Sequence, residues 1–228
     1  MGFSKNIGLL LIGGITLFQC ARYVQLPHDE TYTYQYTKRG AEIGTEVFSL
    51  EKREGHLVVK ADLDIAEGDN RQKGSSELVV ENDGTPVAYF RRMEITLPEF
   101  PDQSGLWELR FAFRGREVLG EIIKDNMPRW KGSIGVKEKK VYCIDNNALF
   151  LLATLVRGIY PKLRKEAEYS VDAFHFSEVR VRNLTFTKVK DGTYHCTIGS
   201  TDIGDLSIRD GLLVKHEDPR SELVIRLK

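Results

Sequence analysis

Alternation of apolar and polar residues with a period of two is the feature of this 228-residue chain that most constrains its fold. It is clear in residues 57–65 (LVVKADLDI), in residues 107–113 (WELRFAF) and again in residues 223–227. Such alternation is typical of strands that have one face on a core and one face in water. Because it recurs from Tyr32 to the end of the chain, it predicts ten or more short strands.

Short segments that contain glycine separate these runs and predict tight turns between antiparallel strands. They are KRG at 38–40, REG at 53–55, NDG at 82–84, KDG at 190–192 and RDG at 209–211. Within residues 173–189 the apolar phase shifts twice, and each shift indicates a bulge that bends the sheet. We therefore expect a mainly all-β fold, a strongly curved antiparallel meander or half-barrel.

One segment, residues 145–157, departs from the period of two. Asp145 is a candidate N-cap, an apolar run follows it, and Gly158 and Pro161 are candidate stop signals. The segment predicts a short buried helix that plugs the concave side of the sheet, because an all-apolar helix cannot lie on a wet surface. The alternative is another buried strand, since short apolar runs are ambiguous.

The N-terminus reads as an export signal. Lys5 precedes an apolar run at 7–18, which is shorter than a membrane-spanning helix, and LFQC at 17–20 follows it. LFQC resembles a bacterial lipobox, whose last residue, here Cys20, carries the lipid. We divide the chain into a lipoprotein signal peptide at 1–19, a tether at 20–31 and one β-rich domain at 32–228. An uncleaved anchor and ordinary cleavage nearby are the alternatives.

Two cysteines remain if Cys20 carries a lipid. An oxidising compartment outside the cytoplasm favours a disulfide between Cys143 and Cys196. The alternative is that both are separate buried thiols on strands, where cysteine behaves as a small apolar residue.

Charge and motifs argue against several functional classes. Lysine plus arginine equals aspartate plus glutamate, 33 against 33, so no net field attracts nucleic acid. No nucleophile motif, phosphate-binding loop or metal-ligand spacing occurs, so we predict no catalytic residue, no metal and no cofactor. An enzyme ranks third among the functional classes.

Three stretches together resemble an exported bacterial family, the domain-of-unknown-function family 3108. They are residues 32–52 (YTYQYTKRGAEIGTEVFSLEK), 141–158 (VYCIDNNALFLLATLVRG) and 208–219 (IRDGLLVKHEDP). The resemblance implies a curved antiparallel sheet, similar in outline to the half-barrels of lipoprotein carriers that shield acyl chains. It implies no catalytic residues.

These observations predict an exported protein that is anchored in the bacterial cell envelope, at the outer membrane, through a lipid on Cys20. We expect it to bind or shield an apolar ligand, such as a lipid or acyl chain, within the curved sheet. The predicted lining residues are Trp107, Leu109, Phe111, Phe113, Leu149, Leu152 and Val156. The alternative is a structural or assembly lipoprotein with a filled core that acts through its surface. No protein partner can be named from the sequence.

Overall fold

A computed structural model describes residues 30–82, 84–138, 141–145 and 148–228, which form fifteen strands and one helix. The predicted signal peptide, Cys20 and most of the tether lie outside the described residues. The elements are β1 Thr31–Lys38, β2 Ala41–Arg53, β3 His56–Glu67, β4 Asn70–Glu81, β5 Pro86–Thr96, β6 Gly105–Arg114, β7 Glu117–Lys124, β8 Met127–Gly135, β9 Tyr142–Ile144, α1 Leu149–Leu163, β10 Glu168–His175, β11 Arg180–Lys190, β12 Thr193–Ile198, β13 Thr201–Arg209, β14 Leu212–Asp218 and β15 Leu223–Leu227.

All fifteen strands belong to one curved sheet, which confirms the predicted fold class. The strand order is β8-β7-β6-β5-β4-β3-β2-β1-β15-β14-β13-β12-β11-β10-β9, so the sheet is open and ends at β8 and β9. Neighbouring strands are antiparallel except β9 and β10, which are parallel. Hairpin turns occur at all five of the predicted positions, between β1 and β2, β2 and β3, β4 and β5, β11 and β12, and β13 and β14.

Neither bulge predicted within residues 173–189 lies at its change of apolar phase, although β11 shifts register against β12 between Lys188 and Lys190. Residues 176–179 form the turn between β10 and β11, and the two strands then pair from His175–Arg180 to Glu168–Thr187 without a shift. The first change of apolar phase arises because the chain turns at 176–179. The second arises because Val181 lies on the exposed side of β11, whereas Leu184 and Phe186 are buried. Register shifts occur in other strand pairs, such as β12 with β13 and β1 with β2.

Gly44 accompanies the shift between β1 and β2. It has a φ of +154°, and a Cβ atom at this position would lie 2.1 Å from the carbonyl oxygen of Asp64 on β3. Only glycine allows the backbones of β2 and β3 to approach so closely at this position.

Helix α1 is the predicted buried helix, although its bounds differ from 145–157. It begins four residues later and continues through Gly158 and Pro161, because the burial of Ile159 and Leu163 on its last turns outweighs the loss of one helical hydrogen bond at proline. The hydroxyl of Tyr194 on β12 donates a hydrogen bond of 3.1 Å to the carbonyl oxygen of Leu163. Among the described residues, no helix is both long enough and apolar enough to span a membrane.

The two ends of the open sheet pack against each other through aromatic rings rather than through strand pairing. Phe111 and Phe113 on β6 contact Phe174 on β10, with ring centroids 5.8 Å and 6.2 Å apart. Phe176 stacks on Tyr89 of β5 at 3.8 Å. These contacts bury the inner faces of both ends and complete a core that also surrounds α1.

Candidate functional site

An apolar pocket of about 240 Å³ lies between α1, the start of β9 and the ends of β3, β4 and β5. We call it the α1–β4 pocket. It forms because Leu57 and Val80 pair across β3 and β4 on the face that turns toward the helix. Its apolar wall consists of Leu57, Leu78, Val80, Pro86, Val141, Leu151 and Leu155.

Polar groups line the α1–β4 pocket at its mouth. Lys52 near the end of β2, Glu81 at the end of β4 and Asn82 just after it lie there. Thr154 lines the pocket from α1, where its hydroxyl donates a hydrogen bond of 2.7 Å to the carbonyl oxygen of Phe150. An apolar interior with a charged mouth fits an apolar chain better than a polar metabolite.

Cys143 lines the α1–β4 pocket, and it is not paired with Cys196. Both cysteines are free and buried, on β9 and β12 respectively. The structure therefore contradicts the predicted disulfide and agrees with the alternative of two separate buried thiols. Burial raises the pKa of both thiols well above the ordinary value, so both stay protonated and poorly reactive at neutral pH.

None of the seven residues predicted to line a ligand site lines the α1–β4 pocket. Leu109, Phe111, Leu149 and Val156 are buried in the core, and Trp107, Phe113 and Leu152 pack against it. The four β6 residues were expected to face an open concave surface, but the two ends of the sheet meet there and fill the space. The helix residues that line the α1–β4 pocket are instead Leu151, Thr154 and Leu155.

A buried carboxylate holds the first turn of α1. The carboxylate oxygens of Glu46 on β2 accept hydrogen bonds from the backbone N–H groups of Leu149 at 3.1 Å and Phe150 at 3.4 Å. The hydroxyl of Tyr36 also donates to Glu46, at 2.8 Å. Ala148, at the N-cap position, has no polar side chain that could cap the helix. Glu46 on strand β2 therefore accepts the hydrogen bonds of the first helical N–H groups in its place.

Burial raises the pKa of Glu46 from the ordinary 4.5 to about 7, although the hydrogen bonds from Tyr36 and the helix start favour its charged form. Desolvation is the dominant cause because the side chain is within the core and only 1% of its residue surface is exposed.

Asp145, predicted to be the N-cap, instead pairs with Arg91 of β5. The guanidinium of Arg91 donates to the Asp145 carboxylate at 2.7 Å, and both side chains are almost fully buried, 4% and 0% exposed. The Tyr89 hydroxyl donates to the same carboxylate at 3.2 Å, and the backbone N–H of Ser177 donates at 3.1 Å. These contacts hold the chain in place just before α1.

Sequence reasoning missed Glu46 and Arg91, although the alternation contains a signal for both. Glu46 lies between Gly44 and Phe48 on the inward face of β2, and Arg91 lies between Tyr89 and Met93 on the inward face of β5. A charged residue on an apolar face indicates a buried pair. In the described part of the chain, no group of three or more histidine, cysteine or acidic side chains is arranged to hold a metal ion.

Neither a protein-family model nor a curated protein matches the sequence. Among solved structures, the chain is similar to a β-barrel-like protein of the domain of unknown function DUF1849 from Brucella abortus, with a TM-score of 0.52 and 10% identity over 89% of this chain and 95% of that chain. A DUF1089 family protein from Pseudomonas aeruginosa has a TM-score of 0.46 and 11% identity over 75% of this chain and 88% of that chain. The first comparison shows a shared β-barrel-like fold of a kind found in bacterial proteins of unknown function.

Proposed function

We propose that this protein is an exported, lipid-anchored protein of the bacterial cell envelope that binds a single acyl chain in the α1–β4 pocket. The observation that carries the proposal is the apolar wall of that pocket, which leads from a charged mouth to the buried face of α1. A lipid on Cys20, attached after removal of residues 1–19, would anchor the protein at the outer membrane. We also propose that the chain is related to the domain-of-unknown-function family 3108, which it resembles in three stretches of sequence.

The size of the pocket limits the ligand. About 240 Å³ lies just below the range of about 300–1,000 Å³ that is usual for sites that enclose a drug-sized molecule. A whole phospholipid is therefore too large to be enclosed. One acyl chain, with its headgroup left at the mouth beside Lys52, is the ligand that the dimensions and the lining favour.

A matched pair of helix variants tests the proposal. Thr154→Phe places a ring in the α1–β4 pocket, whereas Leu152→Phe places the same ring at another half-buried position of α1 that does not line it. Both proteins are titrated with a dansyl-labelled fatty acid, and thermal unfolding checks that both are folded. We expect Thr154→Phe to abolish binding and Leu152→Phe to retain it. Equal binding by the two variants would refute the pocket as the site.

The filled aromatic core favours a second candidate, a structural or assembly lipoprotein that acts through its surface. Phe111, Phe113, Phe174 and Phe176 occupy the space where a larger ligand would otherwise lie. If the wild-type protein binds no labelled fatty acid and carries no non-covalently bound lipid when purified, this second candidate replaces the first.

A further inference from the structure

The α1–β4 pocket opens at one end of the curved sheet, which we call the pocket rim. The described residues of this rim belong to the turns that follow β2, β4, β6, β11 and β13, to the β8–β9 connection and to the end of α1. The remaining turns and the start of α1 form the opposite rim. The antiparallel register fixes this division, because Arg53 pairs with His56 and His56 with Glu81 at the same end.

The N-terminal segment joins the sheet at the pocket rim. Thr31 at the start of β1 pairs with Ser49, and the carbonyl oxygen of Glu30 accepts a hydrogen bond of 3.2 Å from the backbone N–H of Leu50. Lys52, two residues further along β2, lines the pocket. Cys20 and Glu30 are ten positions apart in the sequence, and ten residues of fully extended chain span at most about 35 Å. An anchor at Cys20 would thus hold the pocket rim within reach of the bilayer.

The charges of the chain are balanced overall but divided between the rims. We counted the described residues of the turns and termini, together with two flanking residues on each side. The pocket rim carries 12 Lys and Arg against 9 Asp and Glu, whereas the opposite rim carries 6 against 12. Cationic residues near a membrane are attracted to anionic headgroups, so the two rims differ in their fit to an anionic surface.

The pocket rim also presents an exposed apolar side chain between two lysines. Val189 is 59% exposed, the largest value among the exposed large apolar residues of the described chain, and Lys188 and Lys190 flank it. It lies at the register shift where β11 approaches the turn to β12. An apolar side chain flanked by cations suits the boundary between headgroups and acyl chains.

From these observations we propose that the pocket rim docks on the anionic surface of the membrane, so that the mouth of the α1–β4 pocket opens onto the lipid headgroups. This inference rests on the proposed function, because it gives the direction from which an acyl chain enters. The opposite rim, with its acidic excess, faces away from the membrane.

The depth in the membrane of a fluorescent label on each rim, measured in the anchored full-length protein, tests the proposal. Val189→Cys and Met127→Cys place a cysteine at matched exposures, 59% and 56%, on the pocket rim and the opposite rim. Each variant is labelled with an environment-sensitive fluorophore and reconstituted in vesicles of phosphatidylcholine and phosphatidylglycerol that contain lipids with quenching spin labels. Cys143 and Cys196 are buried, and any label on Cys20 is common to both variants and cancels in the comparison.

We expect quenching at position 189 and none at position 127. Adding Lys188→Glu and Lys190→Glu should abolish the quenching at 189, and salt of about 1 M, where the Debye length is ~3 Å, should weaken it. Quenching at 127 that equals or exceeds that at 189 overturns the proposal. Absence of quenching at both sites also overturns it and leaves the basic rim to a protein partner. Intact mass and fatty-acid titration of the same samples report separately whether Cys20 carries a lipid and whether the pocket binds.

Discussion

Replacing Glu46 with glutamine should remove most of a pH dependence that the buried carboxyl gives to the stability of the protein. The folded pKa of about 7 lies above the ordinary value of 4.5, because burial disfavours the charged form. Below both values the carboxyl is protonated in the folded and unfolded states. Between them the unfolded chain loses its proton first, so stability falls as pH rises and then levels off above about 7.

The size of this effect follows from the two pKa values. The difference between 4.5 and about 7, at about 1.4 kcal/mol for each pKa unit, corresponds to a loss of about 3 kcal/mol. Glutamine has no proton to lose. Its carbonyl oxygen can accept the hydrogen bonds from Tyr36 and Leu149, but its NH2 group, in place of the other carboxylate oxygen, cannot accept the weaker 3.4 Å bond from the backbone N–H of Phe150. Between pH 4 and pH 8 the stability of Glu46→Gln relative to wild type should therefore rise by about 3 kcal/mol, whatever the difference between the two proteins at acid pH.

Urea unfolding followed by circular dichroism at several pH values measures this gain. Glu94→Gln, which removes a carboxylate from an exposed position of β5, is the matched control and should parallel wild type. If the free energies of unfolding of Glu46→Gln and wild type change in parallel with pH, the buried carboxyl does not titrate as argued, and the reasoning is refuted.

Three further predictions concern the buried groups and the backbone. Asp145→Asn should cost about 3–5 kcal/mol in urea unfolding, because it removes the carboxylate charge that pairs with the buried Arg91 guanidinium; a loss below 1 kcal/mol would contradict the pairing. Cys143 and Cys196 should not react with Ellman's reagent in the folded protein at pH 8 and should both react after denaturation; rapid reaction of the folded protein would show that they are exposed. Gly44→Ala should cost more than about 1 kcal/mol, because its Cβ atom would overlap the backbone of β3, and an unchanged stability would contradict that close approach.

The fold could be predicted from local patterns because each pattern acts over a few residues. Alternation defines the strands, and turn residues such as Asp210 and Gly211 define the hairpins that link neighbours. The order of neighbours within β1–β8 and within β10–β15 then follows from the chain itself, whereas the pairing of β1 with β15 and the parallel position of β9 beside β10 do not. The bounds of α1 did not follow, because its last turns are stabilised by burial against distant strands, as at Leu163.

The site could not be predicted because it depends on how the two ends of the sheet meet. Phe111 and Phe174 are 63 residues apart in the sequence, and nothing local indicates that their rings are in contact. Their contact fills the face where a ligand was expected. The pocket lies instead where α1 passes β3 and β4, at residues such as Leu78 and Leu155.

The central claim is that one acyl chain occupies the α1–β4 pocket of a lipid-anchored protein, and native mass spectrometry tests it most directly. The full-length protein and its Thr154→Phe and Leu152→Phe variants are purified from membranes and compared. We predict a covalent lipid on Cys20 in all three proteins. A single non-covalent acyl ligand should occur in wild type and Leu152→Phe and be absent from Thr154→Phe. An unmodified Cys20 would contradict the account, and so would the absence of a non-covalent ligand from all three proteins.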